Sequence, residues 1–454
     1  MADDLYRLTA SEVAAKVRSG QVTIEEYARS LLSRIEARDP VVKAWAYLDP
    51  ERVMAEARRL DQVPLEERGP LHGVAIGVKD VIFTKDMPTQ FNSPLYTDNA
   101  PHVDAASIII LRQAGALLVG KTTTTEFAAT TRGPATTNPH DPSRTPGGSS
   151  AGSGAAVADF QCAVALGTQT GGSMIRPGSF NGVYAFKPTW GAVSREGQKL
   201  YSLTFDTLGV FARGVADLEL MAHVFALEDD DDDDDDDEAG VGPPAKTTTG
   251  FQVQGARFAV CKTMVWPHAG PGTVGALQRA VELLRAQGAN VEEISFPESL
   301  ADLPKWHATV LDAEGRAAFL PEYRAGKDKI AHLLIGHVEN RGRTSRAEHL
   351  KALDSIAAAR PVVDAMLSKY AAVLVPSVPD EAPEGIEWTG NAAFNVIWTA
   401  LHTPVVNVPG FKGGLGMPVG VSLVAPRYRD RHLLKVSKKV GEIFEAEGGW
   451  KPSN

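Results

Sequence analysis

Three residues, one lysine and two serines, have the types and local settings that acyl-transfer chemistry requires. Lys79 directly follows an apolar run, Ser149 lies in a tract rich in glycine and serine, and Ser173 follows two glycines. A serine hydroxyl is a poor nucleophile until a base takes its proton. Lysine is such a base only when neutral, which requires burial that lowers its pKa. The set therefore predicts a serine nucleophile with a lysine base, although Lys79 alone also fits a strand-end lysine that extends to solvent.

Glycines accompany both serines. Gly171 and Gly172 allow a sharp turn before Ser173 and expose consecutive N–H groups. Such donors stabilise a tetrahedral oxyanion, an effect worth about 3 kcal/mol per donor. The tract 147–154 has the composition of a flexible linker, but it is short and runs into the apolar residues 155–158. We therefore expect a loop that enters a helix.

Residues 115–122, Gly-Ala-Leu-Leu-Val-Gly-Lys-Thr, match the phosphate-loop pattern G-x-x-x-x-G-K-[ST]. That mechanism needs the intervening residues to form a loop whose amides surround a phosphate. Ala-Leu-Leu-Val instead favours a buried strand, and the order strand, loop, helix is missing. The segment therefore predicts a strand and not a nucleotide site.

Residues 148–152, Gly-Ser-Ser-Ala-Gly, fit the nucleophile-elbow pattern G-x-S-x-G and nominate Ser150. An elbow follows a strand directly, whereas the preceding residues 140–146 contain two prolines, which remove donors from a sheet. A later histidine, His402 or His432, is available. An esterase of the α/β-hydrolase type that uses Ser150 stays open as an alternative.

Short apolar strands alternate with helical segments around these residues, which favours an α/β fold with a mixed, largely buried sheet covered by helices on both faces. The expected strands are 74–78, 116–119, 163–166, 258–260, 371–375 and 419–424. The expected helices are 105–113, 215–227, 274–287, 347–367 and 430–444. Residues 130–148, rich in Thr, Pro, Asn and Gly, are expected to form a long functional loop.

The first 60 residues have the pattern of helices. Thr9 and Glu12 have capping-box spacing, and so do Thr23 and Glu26. The helix that follows Thr23 is expected to cover residues 24–37 and to stop before Asp39-Pro40.

Composition excludes several classes of protein. The 454 residues are 43% hydrophobic and 22% charged, so the chain is not disordered as a whole. No apolar stretch reaches the roughly 18 to 20 residues of a membrane span, and we expect no signal peptide. Cys162 and Cys261, the two cysteines, cannot build a disulfide framework or a thiolate metal cluster. A reducing cytoplasm is the expected location.

The net charge of −10 is mostly local, since residues 229–237 are nine consecutive aspartates, without which it would be −1. The nearly neutral remainder argues against nucleic acid as the main partner, and nothing indicates a membrane partner. The segment 228–245 is expected to be an acidic, solvated surface loop.

On these motifs the chain resembles the amidase signature family of serine hydrolases. The resemblance rests on segments 71–80, 115–122, 146–154, 167–173 and 186–191, and near the C-terminus on 403–409 and 416–423. The 24 positions between Ser149 and Ser173 are the usual spacing in that family. The resemblance implies one continuous catalytic domain over residues 66–454, with residues 1–65 as an N-terminal helical segment packed on it.

The resemblance also implies a Ser-cisSer-Lys triad. Ser173 would attack the carbonyl carbon, and Ser149 would relay its proton to neutral Lys79. The backbone amides of Thr170, Gly171, Gly172 and Ser173 would form the oxyanion hole, with Ser150 as a supporting residue. No metal ion and no organic cofactor is implied, and a homodimer is compatible with the family.

Two positions depart from the common family pattern. Gln169 replaces an aspartate, and Arg176 stands three residues after Ser173 instead of two. Both departures argue against a glutamine amidotransferase subunit, although that role and a non-catalytic subunit stay open.

The family hydrolyses amides, and some members accept aryl amides, carbamates (urethanes), ureas or esters. Few charged residues stand out as anchors for a carboxylate, which favours neutral or aromatic amides and carbamates. Aromatic residues that either line an apolar cleft or belong to the core are Phe91, Trp306, Phe319, Trp388, Phe394 and Trp398.

Overall fold

Eleven strands form one sheet in the computed structural model, which describes residues 4–229 and 250–450. The strands are β1 Trp45–Leu48, β2 Ala75–Lys79, β3 Leu117–Thr122, β4 Val164–Gln169, β5 Tyr184–Lys187, β6 Thr207–Ala212, β7 Arg257–Lys262, β8 Asn290–Ser295, β9 Ala372–Pro376, β10 Val405–Lys412 and β11 Pro418–Val424. Their order is β1-β3-β2-β4-β6-β5-β10-β11-β9-β7-β8. Strands β3, β2 and β4 are parallel, as are β9, β7 and β8, and the other pairs are antiparallel. The predicted mixed sheet is confirmed.

The described ranges contain fourteen helices, which pack on the sheet or on other helices. They are α1 Ala10–Arg18, α2 Ile24–Val42, α3 Pro50–Asp61, α4 Ala106–Gln113, α5 Ala151–Ala158, α6 Ile175–Asn181, α7 Val215–Val224, α8 Pro271–Ala286, α9 Leu303–Ala318, α10 Leu320–Gly326, α11 His332–Val338, α12 Arg346–Leu367, α13 Ala393–Ala400 and α14 Asp430–Ala446. None of the helices within 4–229 and 250–450 is long and apolar enough to cross a membrane.

The sheet has a hydrophobic core on each face because side chains alternate along a strand. In β9, Ala372 and Leu374 belong to one buried cluster, whereas Val373 and Val375 belong to the other. This explains why the central strands are almost continuous apolar runs, and the prediction of helices on both faces is confirmed.

All six expected strands and all five expected internal helices are present, with ends displaced by a few residues. Five strands were missed. Strands β1 and β8 are the two edges of the sheet and are partly exposed, β5 has four residues, and β6 and β10 contain glycine or proline that interrupts the apolar pattern. Strand β1, residues 45–48, lies within the expected N-terminal helical segment but joins the sheet beside β3.

The predicted end of the second helix is wrong, because α2 continues through Pro40 to Val42. Proline lacks only its own N–H, and so close to the helix end it removes a single backbone hydrogen bond. The Lys43 N–H still donates to the Asp39 carbonyl at 2.8 Å, and Lys43 ends the helix in a left-handed conformation with φ 54°.

The capping box at the start of α2 is confirmed, since Thr23 Oγ1 accepts from the Glu26 N–H at 3.1 Å and the Glu26 carboxylate accepts from the Thr23 N–H at 2.9 Å. We expect Thr23→Ala to lower the free energy of unfolding by about 1 kcal/mol, because the Glu26 N–H loses its side-chain acceptor. Thr97→Ala, an exposed threonine outside any α-helix, is the matched control and should change it by less than about 0.5 kcal/mol. Chemical denaturation measures both, and equal values would contradict the capping role.

The expected acidic loop at 228–245 lies largely outside the described residues. Its described part contains Asp229, whose carboxylate accepts from the N–H groups of Arg431 at 2.9 Å and His432 at 2.7 Å. The first aspartate of the run therefore caps the start of α14 instead of being solvated.

Candidate active site

Lys79 is the last residue of β2, which lies between the parallel strands β3 and β4. Parallel strands end at the same edge of a sheet, so the loops that follow β2, β3 and β4 meet around this side chain. Lys79 is fully buried, and its Nζ lies 2.7 Å from Ser149 Oγ, 2.9 Å from Ser150 Oγ and 2.8 Å from Thr168 Oγ1. Lys79 therefore does not extend to solvent.

Burial lowers the pKa of Lys79 well below the ordinary 10.5, and the charge of Asp206 opposes this only in part. The hydrogen-bond partners of its Nζ are hydroxyls and a carbonyl, not a carboxylate. A neutral amine has a lone pair as well as two N–H groups, so it can accept a proton from one hydroxyl while donating to others.

Ser149 lies at the end of the loop that leads into α5, two residues before the helix begins, and the Gly148–Ser149 peptide bond is cis. Arg176 donates to the Gly148 carbonyl at 2.7 Å, and Ser150 Oγ lies 3.9 Å from Met174 Sδ. The residues on either side of Ser149 therefore contact residues that follow Ser173, which sets the two serine loops side by side.

Ser173 lies between β4 and α6, in the loop that also holds Thr170, Gly171 and Gly172. It keeps 7% of its surface exposed, against 3% for Ser149 and none for Lys79 and Ser150, so it is the member of this group most open to a substrate. Gln169, at the end of β4, accepts from the N–H groups of Met174 at 2.9 Å and Ile175 at 3.1 Å and so fixes the start of α6.

The amides of the loop are available as donors. Among residues 4–229 and 250–450, no acceptor pairs with the N–H groups of Thr170, Gly171, Gly172 or Ser173. Backbone N–H groups in a buried loop are nearly always paired, so these free donors are suited to an oxyanion, the role that the sequence predicts for them.

The two glycines of this loop differ in the space around them. A Cβ on Gly172 would lie 2.4 Å from Asn395 Oδ1, whereas one on Gly171 would have only ordinary contacts, 3.7 Å from Val396 and 3.9 Å from Ala392. We expect Gly172→Ala to lower kcat about 100-fold, because the loop must shift and misplace its amides. Gly171→Ala, the matched control, should cost much less, and steady-state kinetics beside melting temperatures compares the two. Equal losses would contradict this account.

Among the described residues, no histidine forms a hydrogen bond with Ser150. Ser150 Oγ contacts Lys79 and lies 3.2 Å from the Thr168 carbonyl, while His402 contacts Arg360 and the Thr204 carbonyl and His432 contacts the Ala371 carbonyl. Ser150 is also fully buried at the start of α5, with the long loop instead of a strand before it. The geometry thus gives the elbow hypothesis no histidine base.

The false phosphate-loop match lies on β3, as predicted. Its Lys121 is fully buried, donates to the Ile82 carbonyl at 2.8 Å and lies 3.6 Å from the Asp80 carboxylate. It therefore serves the packing of the sheet.

Arg176, one of the two departures, is also buried. It donates to the carbonyls of Gly390 and Gly148, each at 2.7 Å, and to Thr389 Oγ1 at 3.3 Å. Burial lowers its pKa to about 10, so the guanidinium stays charged at neutral pH and links α6 to the loop before Ser149.

Sequence reasoning missed four polar residues that contact this site: Thr168, Asp206, His307 and Thr399. Thr168 contacts Lys79, and Asp206 accepts from Thr170 Oγ1 at 2.5 Å. Burial raises the pKa of Asp206 to about 6. Only Thr168 could have been found from the local sequence, since it has a hydroxyl near the end of the strand that leads to Ser173. The other three residues are distant from Ser173 in sequence.

Most of the aromatic residues considered for a substrate cleft belong to the core. Phe91, Phe319, Phe394 and Trp398 are buried, whereas Trp306 is partly exposed and Trp388 is 51% exposed. Trp388 lies in the segment that contacts residues 131–133 and the loop before Ser149.

The sequence matches a family model described as Amidase over residues 26–434. A protein of Chloroflexus aurantiacus that is named as a glutamyl-tRNA(Gln) amidotransferase subunit is 38% identical over 313 residues, 67% of this chain and 63% of that protein. A protein of the same name from Synechococcus sp. (strain RCC307) is 30% identical over 93% of this chain and 94% of its own length. A crystal structure of an amidase has 29% identity and a TM-score of 0.82, covering 97% of this chain and all of that one.

Proposed function

This chain belongs to the amidase family, and on that premise we propose that it is a serine hydrolase that cleaves the C–N bond of neutral amides through an acyl-enzyme on Ser173. The observation that carries the proposal is the buried Lys79 amine 2.7 Å from Ser149 Oγ, beside a loop with free amide donors. No metal ion or organic cofactor takes part in the proposed reaction.

The proposed reaction has two halves. Ser173 Oγ attacks the carbonyl carbon while its proton moves to Ser149 Oγ, and the proton of Ser149 moves to neutral Lys79 Nζ. The amides of Gly171, Gly172 and Ser173 stabilise the oxyanion. As the C–N bond breaks, the proton returns through Ser149 to the leaving nitrogen. In the second half, water attacks the acyl carbon, its proton moves through Ser149 to Lys79, and the carboxylic acid is released from Ser173.

A neutral substrate is supported by the state of the ionisable groups around the loop. Lys79, Asp206 and Arg176 are all buried, and each hydrogen-bonds to groups of the protein itself. Ala392 and Val396, which flank Gly171, are apolar. Aliphatic or aryl amides and carbamates (urethanes) therefore fit this surface better than a substrate with a free carboxylate.

A second candidate, the amidotransferase subunit, is favoured by the names of the relatives. Such a protein would release ammonia from glutamine for use by a partner chain. Our proposal is instead a single chain with a small-molecule substrate, located in the cytoplasm, without nucleic acid or membrane partners and compatible with a homodimer.

The test is a substrate panel of acyl 4-nitroanilides, aryl carbamates and L-glutamine, with detection of nitroaniline, phenol or ammonia. We expect turnover of neutral anilides or carbamates by the isolated chain, and a fluorophosphonate adduct on Ser173 by peptide mass spectrometry. Turnover of glutamine alone would favour the amidotransferase role, and an adduct on Ser150 would revive the elbow hypothesis. A chain that hydrolyses none of them and forms no adduct would contradict the proposal.

A further inference from the structure

Every carbonyl of the loop 170–172 is held by a group outside the loop. The Thr170 carbonyl lies 2.9 Å from His307 Nε2 of α9, and the Gly171 carbonyl accepts from Thr399 Oγ1 of α13 at 2.8 Å. The Gly172 carbonyl accepts from the Arg176 N–H at 3.0 Å in the first turn of α6. Three separate helices thus fix three successive peptide groups.

Holding a carbonyl also fixes the next amide. In a planar trans peptide the C=O and the following N–H point in opposite directions. The peptide bonds of this loop are trans, since the cis bond of the described residues is Gly148–Ser149. The His307 contact therefore directs the Gly171 N–H, and the Thr399 contact directs the Gly172 N–H, to the side away from those helices.

The environment of His307 fixes its role as a donor. The imidazole is buried and stacked on Phe205 with ring centres 4.6 Å apart, and burial lowers its pKa to about 4. At neutral pH it has one N–H, and because a carbonyl only accepts, that proton is on Nε2.

Thr399 is oriented by Gln169. The Gln169 carboxamide oxygen accepts two backbone N–H groups, so its Nε2 points to Thr399 and donates to Oγ1 at 2.9 Å. Thr399 then directs its single proton to the Gly171 carbonyl, 2.8 Å away, in preference to the Asn395 carbonyl at 3.1 Å. A carboxylate at position 169 would compete with the Gly171 carbonyl for the Thr399 proton, whereas the Gln169 amide donates to Thr399 and leaves that proton for the carbonyl.

We infer that His307 and Thr399 are positioning residues of the reaction, which aim the amides of Gly171 and Gly172 at the oxyanion by holding the preceding carbonyls. The inference rests on the proposed function, because an oxyanion at Ser173 is what these amides would stabilise. Neither residue touches the reacting atoms, so their removal affects the transition state more than substrate binding.

The experiment compares His307→Phe, which keeps an aromatic ring without a donor, with His307→Gln, which keeps an N–H. Thr399→Val removes only the hydroxyl at nearly constant shape. His432→Phe is the matched control, because His432 also contacts a backbone carbonyl at 2.9 Å, but that carbonyl belongs to Ala371 and not to the loop 170–172. The readouts are kcat and KM for an acyl 4-nitroanilide, the Ki of an alkyl boronic acid that forms a tetrahedral adduct with the serine, and the melting temperature.

We expect His307→Phe and Thr399→Val to lower kcat by about 10- to 100-fold with KM changed by less than about 3-fold. The boronate Ki should rise in parallel, His307→Gln should recover most of the loss, and His432→Phe should leave kcat and Ki unchanged. If His307→Phe does not fold, Thr399→Val and His307→Gln decide the matter.

Folded variants with unchanged kcat and boronate Ki would overturn the inference, and so would a loss that appears only in KM. The control for the reaction itself is Ser173→Ala. If that variant is inactive while both positioning variants are unaffected, only the inference fails, whereas an active Ser173→Ala variant removes the proposed function as well.

Discussion

Ser173→Ala is expected to lower the rate of amide hydrolysis by about 10⁴-fold or more, because the proposed acyl-enzyme forms on the Ser173 hydroxyl. The carbonyls of the three residues before Ser173 are all hydrogen-bonded, and alanine fits the same space, so the melting temperature should change little. Steady-state kinetics measures turnover, and fluorophosphonate labelling measures the covalent adduct. Both should disappear in this variant.

Ser150→Ala is the matched control, because Ser150 also contacts Lys79 but is fully buried. It should lower the rate much less than Ser173→Ala and leave the fluorophosphonate adduct in place. Retained turnover in Ser173→Ala, or an adduct that is lost in Ser150→Ala instead, would contradict the assignment of the nucleophile.

Lys79→Ala is expected to lower kcat by about 10³-fold or more, the upper range for loss of a general base. The variant leaves the hydroxyls of Ser149, Ser150 and Thr168 in place but removes the amine that they surround. Single-turnover kinetics separates this effect from substrate binding. Lys187→Met is the matched control, because Lys187 is also fully buried but contacts the carbonyls of Pro188 and Thr403.

The same base predicts the direction of the pH profile. Protonated Lys79 has no lone pair, so activity requires the neutral amine, whose fraction rises as the pH rises through the pKa of Lys79. Because burial lowers that pKa, kcat/KM should increase with pH and level off well below 10.5. Burial also lowers the pKa of Lys187 to about 7, so an inflection that stays in Lys187→Met does not come from Lys187.

A flat profile, measured where bond cleavage limits the rate, would contradict the role of Lys79 as a base. An inflection that disappears in Lys187→Met would contradict it as well.

Local patterns in the sequence were sufficient for the core of the fold and for the loops that hold the candidate residues. The apolar run before Lys79 predicts β2, and the glycines beside Ser149 and Ser173 predict tight loops. These predictions succeed because strand burial, helix capping and backbone turns depend on residues within a few positions of each other. Where a pattern was weak, as in the partly exposed edge strand β8, the prediction failed.

Only the tertiary structure decided which distant groups meet. Lys79 and Ser149 are 70 positions apart and His307 and Thr170 are 137 apart, yet each pair is within hydrogen-bond distance. The sequence could name the lysine and the serines because their neighbours mark them, but nothing near His307 or Thr399 indicates a role. Their contacts depend on how α9 and α13 pack on each other and on the neighbouring helices. Helix packing is specified by many small apolar contacts spread along the chain and not by any local motif.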